Sequence, residues 1–146
     1  MKVEIMVGEG GILPVYATEK SAALDIATPE NFQINPGDVH YVNTRLIVGA
    51  PDGYCFKLYA RSGLATKRGI VLANGVGIID ADYCGPDDYL TVALENVSSE
   101  VAYFQRGDRV AQMILEECPR IHWVLTNELN EENRGGFGST GVTVVS

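Results

Sequence analysis

Helical periodicity is almost missing from this chain. In its place come short runs of β-branched and aromatic residues, each closed by a proline or glycine turn, and that pattern narrows the fold to an all-β sandwich or barrel. Lys2 to Val7 alternates well enough for an edge strand before Gly8 to Gly11 breaks it. Lys20 to Pro29 reads as a strand of small residues with one carboxylate, Asp25, inside it. Val39 to Val48 is long enough for one full strand, bounded by the turns Pro36-Gly37-Asp38 and Pro51-Asp52-Gly53, where proline presets one dihedral and glycine tolerates positive φ. Tyr54–Tyr59, Val76–Asp80, Tyr89–Glu95, Val101–Phe104 and Arg109–Leu115 continue the series. No repeat divides residues 1–146, which read as a single domain whose last part, 128–146, is a glycine-rich, flexible arm.

One short helix is expected. Ser62 is a good N-cap, Leu64 to Arg68 can form a turn or two, and Gly69 can end it. A helix start beside Arg61 would gather free amides and a guanidinium into an anion site; a capped connector with a surface arginine accounts for the same residues.

A chain of 146 residues can bury a sizeable core without disulfides or a structural metal. Cys55, Cys84 and Cys118 are odd in number, far apart and never in a Cys-x-x-Cys pair, so they predict neither a disulfide framework nor a zinc site; they read as small buried hydrophobes in a reducing compartment. The net charge of −8 argues against broad binding to a nucleic-acid backbone, so a polyanionic ligand must be held by a few placed cations. No apolar run approaches the roughly 18 residues of a membrane span, and the N-terminus lacks a basic segment followed by an apolar one, which predicts a soluble, cytoplasmic protein with no membrane partner. His40 and His122 fit no metal-ligand pattern, and Trp123 reads as a packing residue.

The stretch from Asn74 to Gly85 carries the chemistry. Asp80 stands at the end of the apolar run Val76 to Ile79, where a neighbouring strand or loop can enclose it, and a carboxylate so placed is costly without a partner or a task. Acidic turns of this kind also serve as plain hairpins. In Gly107 to Ile114, Arg109 and Gln112 are candidate polar contacts, and strict alternation puts them on opposite faces; Arg109 suits an ion pair and Gln112 a pocket. The tail Arg134 to Gly141 combines four glycines with an arginine, an aromatic ring and two hydroxyls, a mixture that suits a phosphate-clamping lid, and Val142 to Val145 could add a strand, even to another subunit.

Taken together and in order, Ala22-Ala23-Leu24-Asp25-Ile26, Ala60 to Ala65, Asn74 to Gly85, Gly107 to Gln112 and Gly135 to Gly141 resemble the five motifs of the trimeric dUTPase family. The resemblance implies a jelly-roll-like β subunit in a homotrimer whose sites are each built from more than one chain. It implies hydrolysis of dUTP to dUMP and pyrophosphate with magnesium (Mg2+). By residue match, Asp80 is the base that deprotonates the attacking water, and Gln112 contacts phosphate or that water. Arg61, Ser62 and Gly63 bind phosphate. Asn74 and the backbone of Gly77, Ile78 and Ile79 read uracil, and Tyr83 packs on the deoxyribose. Phe137 covers the base, while Arg134, Gly138, Ser139 and Thr140 close on the terminal phosphates. Asp25 lies near the magnesium, reached through water.

Three features depart from the family pattern: a shorter link between Arg134 and the Gly-Gly-Phe unit, an insertion at Pro86-Asp87-Asp88, and Cys84 where a polar or basic residue is common. Two other functions share the motifs. A dCTP deaminase of the same fold would need a catalytic glutamate, for which Glu95 is the candidate. A non-catalytic nucleotide-sensing trimer would have no need of Asp80.

Overall fold

The computed structural model describes residues 1–129, 132–133 and 135–136. In chain order the elements are β1 Glu4–Val7, β2 Val15–Tyr16, β3 Leu24–Ala27, β4 Phe32–Ile34, β5 Val39–Asn43, β6 Leu46–Gly49, β7 Tyr54–Tyr59, α1 Ser62–Arg68, β8 Ile70–Leu72, β9 Gly77–Ile79, β10 Thr91–Asn96, β11 Ala102–Phe104 and β12 Arg109–Glu117. A five-stranded sheet runs β2-β3-β12-β7-β9 and a three-stranded sheet runs β5-β10-β8, with the pairs β1-β6 and β11-β4 beside them. The all-β architecture, with one helix among the described residues, is as the strand spacing predicted, and its jelly-roll-like form is as the resemblance implied.

Alternation along each strand builds the core. Phe56 and Leu58 of β7 and Val110 and Met113 of β12 point inward to meet Val42, Leu72, Val92 and Leu94 of the three-stranded sheet in one buried cluster. The opposite face of the five-stranded sheet carries the polar row. Register places Asp25 beside Gln112 and Gln112 beside Tyr59, so three strands present their polar side chains together.

Several expectations from the sequence are corrected. The run Val39 to Val48 is two strands, because Arg45 takes φ 61° and Thr44 turns its hydroxyl onto the Leu90 carbonyl at 2.8 Å. The chain thereby leaves the sheet of β5 and pairs β6 with β1. The N-cap of α1 is Arg61 rather than Ser62, with no side-chain cap bond, while Gly69 ends the helix in the left-handed conformation as expected. Arg109 and Gln112 share a face. A bulge between Arg109 and Ala111 adds a residue to β12, which resets the alternation and puts both side chains on the face that carries Asp25. Trp123 is 85 % exposed and packs no core.

The cysteines also differ from expectation. Cys55 and Cys118 form a disulfide with Cα atoms 6.2 Å apart, and Cys84 is exposed. The antiparallel register of β7 and β12 sets Cys55 opposite Glu116, and the Cys118 amide bonds to the Gly53 carbonyl at 2.7 Å, so the two thiols meet across the strand pair. Residues 63 apart in sequence carry no spacing signal for this.

Candidate active site

Two clefts open along the polar face of the five-stranded sheet. The first, about 760 Å³, is lined by Asp25, Arg61, Ser62, Gly63, Lys67 and Gln112 among others. The second, about 590 Å³, is lined by Ile78, Asp80, Asp82, Cys55, Cys118 and Arg120 among others. Both fall within the size range of small-molecule sites, and they share no lining residue.

The first cleft is built around Asp25. Its carboxylate accepts from Arg61 Nε at 2.7 Å and lies 3.0 Å from Arg109 Nη1, so each oxygen has its own guanidinium. The Asp25 side chain is only 11 % exposed, whereas both arginines reach solvent, which leaves their remaining donors open to a ligand. Gln112 donates from Nε2 to the Ala60 carbonyl at 2.9 Å. That bond fixes the amide plane next to Arg61 and leaves the amide oxygen available.

Beside the cleft, Glu116 joins Lys57 at 2.6 Å and the Tyr59 hydroxyl at 2.9 Å. The hydrogen bond from Lys57, then that from Tyr59, holds the Glu116 carboxyl below its usual range. In return, the bond to Glu116 holds the Lys57 ammonium and the Tyr59 phenol above theirs. Tyr59 lines the first cleft, so this network fixes one of its walls.

The second cleft rests on β9. Gly77 pairs with Leu58, and a Cβ at Gly77 would lie 3.1 Å from the Leu58 Cβ, a crowded contact that bare backbone avoids as β9 packs beside β7. The register then pairs Ile78 with Lys57 and leaves the Ile78 side chain exposed. Asn74 sits in the preceding turn, where its carbonyl accepts from the Val76 amide at 2.8 Å. Asp80 follows directly after β9, as expected, and it is exposed rather than enclosed. Its carboxylate makes no hydrogen bond or ion pair among the described residues. Tyr83 turns back over it, with its amide on the Asp80 carbonyl at 3.2 Å and its hydroxyl on the Tyr89 carbonyl at 3.3 Å. The Gly85 to Asp88 turn closes on itself through the bond from the Gly85 amide to Asp88 Oδ2 at 2.7 Å.

The structure thus gathers Asp25, Arg61, Ser62, Gly63 and Gln112 in one cleft and sets Asp80 and Ile78 in the other. Arg134, Phe137, Gly138, Ser139 and Thr140 lie outside the described residues, as does the Val142 to Val145 run. Glu95 lies in the three-stranded sheet, paired with Val39 and Val71, and lines neither cleft. Among the described residues no three histidine, cysteine, aspartate or glutamate side chains converge as metal ligands. Sequence reasoning passed over the Lys57–Glu116–Tyr59 network. Lys57 and Tyr59 at alternate positions of one strand were the available signal, but their partner lies 59 residues from Lys57.

The sequence profile of the dUTPase family matches residues 9–141. The chain belongs to the dUTPase family. It is 43% identical over 148 residues to the deoxyuridine 5'-triphosphate nucleotidohydrolase of Anaplasma marginale (strain St. Maries), covering 97% of this chain and 99% of that one. The dUTPase of Staphylococcus bacteriophage 80alpha with dUPNHPP has a TM-score of 0.86 and 22% identity, over 97% of this chain and 99% of that chain. A mutant dUTPase of phage phi11 of S. aureus, which coordinates a structural Mg(II) ion, has a TM-score of 0.81 and 20% identity, over 90% of this chain and all of that chain. At those identities the phage structures establish a common fold. The expected enzyme class, dUTP diphosphatase, is borne out by the family and its named relatives. No helix among the described residues is long and apolar enough to cross a membrane.

Proposed function

We propose that this dUTPase-family chain hydrolyses dUTP to dUMP and pyrophosphate at sites assembled between subunits, with Asp80 as the base. One observation carries the reading: Asp80 has no protein partner among the described residues, while the phosphate-binding candidates Arg61, Ser62, Gly63 and Gln112 line a different cleft of the same chain. A base and its phosphate site serve one reaction only if they meet. A neighbouring subunit can supply the missing half, which supports the homotrimer expected from the motifs.

In the assembled site Asp80 takes a proton from water as its oxygen attacks the α-phosphorus. The bond from that phosphorus to the bridging oxygen breaks, and pyrophosphate leaves with the electron pair. Gln112, its amide held by Ala60, and Arg61, held by Asp25, position phosphate oxygens and stabilise charge as it develops. Asn74 with the backbone of Gly77, Ile78 and Ile79 reads the uracil edge. Tyr83, tied to Tyr89, packs on the deoxyribose and leaves no room for a 2'-hydroxyl. The arm from 128 onward, with Arg134, Phe137, Gly138, Ser139 and Thr140, serves as the lid.

Magnesium fits this chain as part of the substrate and not as a caged ion. Both Asp25 oxygens are taken by arginines, so Asp25 is suited to reach the metal through water and not to bind it directly. Magnesium on the triphosphate neutralises phosphate charge. The reading places the enzyme with the cytoplasmic nucleotide pool.

The test is pyrophosphate release in magnesium buffer from dUTP, dCTP, dTTP and UTP in parallel, with ammonia assayed in the dCTP sample. Release from dUTP alone is expected. Ammonia from dCTP, or no release from dUTP, would overturn the reading.

A further inference from the structure

Lys67 lies outside the residues matched to the phosphate-binding motif, yet it faces the same cleft. It is four residues past Gly63 in α1, and a Cβ added at Gly63 would lie 3.7 Å from Lys67 Cδ and 4.0 Å from its Cε. The lysine stem therefore lies along the helix face that Gly63 leaves bare, with the ammonium beyond it.

The other cations near α1 are engaged. Arg61 and Arg109 are bound to Asp25, and Arg68 joins Asp108 at 2.8 Å while lying 4.7 Å from the centre of the Phe104 ring. Lys67 forms no ion pair or hydrogen bond among the described residues. Of the charged side chains lining the cleft, Asp25 is offset by Arg61, and Lys67 is the surplus. On a chain of net charge −8 a local positive surplus inside a cleft marks where a polyanion is held.

We infer that Lys67 is a substrate-binding residue that contacts the terminal phosphates and sets the preference for a triphosphate over a monophosphate. This rests on the dUTP-hydrolysis reading above and extends it to a residue that the motif comparison leaves out. A mobile ammonium with three donors suits phosphate oxygens whose positions shift as pyrophosphate leaves, a task for which a guanidinium locked by a carboxylate is less suited.

A purely structural role is the alternative, since a cation in the last turn also stabilises a helix C-terminus. Titrating wild-type, Lys67→Met and Lys67→Arg proteins with dUpNHpp and with dUMP, alongside thermal melts, separates the two. Lys67→Met is expected to weaken dUpNHpp binding by about five- to tenfold, to leave dUMP binding within about twofold, and to lose less as salt is raised. Lys67→Arg should recover most of the affinity. Unchanged dUpNHpp binding in Lys67→Met would overturn the assignment. So would an equal loss for dUMP, or a loss that tracks a lowered melting temperature. A wild-type protein that fails to bind dUpNHpp would instead count against the proposed function itself, so the two failures are distinguishable.

Discussion

Asp25 and Arg61 are 36 residues apart in sequence and 2.7 Å apart in the fold, joined across the edge of the first cleft. The pair orients the guanidinium, and the second arginine on Asp25 secures the carboxylate from the other side.

Asp25→Ala should lower stability by about 1–3 kcal/mol in urea unfolding, because two guanidinium groups lose a largely buried carboxylate. Turnover of dUTP should fall as well, since Arg61 is no longer aimed. Asp25→Asn, which can still accept from Arg61, should lose less of both. Equal stability of wild type and Asp25→Ala would mean that the pair is incidental.

The Cys55–Cys118 disulfide closes a loop of 63 residues and is expected to contribute about 2–4 kcal/mol relative to the reduced protein. Thiol titration of the unreduced, denatured protein should find only Cys84 free, and full reduction should release all three cysteines. Three free thiols before reduction would refute the pairing.

The Lys57–Glu116–Tyr59 network makes stability depend on pH at both ends. The Glu116 carboxyl is held low, so its contribution is present above the unfolded value and lost as pH falls through the folded one. The Lys57 ammonium is held high, so its contribution is complete below the unfolded value and lost as pH rises through the folded one. Wild type and Glu116→Gln should therefore differ in melting temperature near pH 7 and converge as pH falls below the ordinary glutamate range through the lowered Glu116 value. Wild type and Lys57→Met should converge as pH rises beyond the ordinary lysine range through the raised Lys57 value. A Glu116→Gln difference that persists undiminished at pH 3 would count against the network.

Asp80→Asn should bind dUpNHpp as wild type does while its turnover of dUTP drops by about 100- to 10,000-fold, the usual cost of losing a general base. Unchanged turnover would remove Asp80 from that role.

Local chemistry made much of this molecule legible. Turn residues such as Pro51-Asp52-Gly53 and the alternation of Phe56 and Leu58 with Lys57 and Tyr59 predicted the strands and the core. Gly69 ended the helix where its left-handed conformation was needed. Readings failed where a distant group decided the outcome. Leu90 breaks the run at Thr44, and β3 sets the bulge that brings Arg109 and Gln112 onto one face. The thiols of Cys55 and Cys118 meet only because β7 and β12 pair in one register. The candidate site was legible as motifs in order, but not as geometry, because one chain divides it between two clefts.

Mixing subunits tests the central claim most directly. Asp80→Asn and Arg61→Ala chains, each inactive alone, would be unfolded together, refolded and assayed for dUTP hydrolysis. If Asp80 and Arg61 of one site come from different chains, random assemblies recover activity at about one quarter of their sites, where an intact Asp80 meets an intact Arg61. If both come from a single chain, every site in the mixture stays defective and no activity returns.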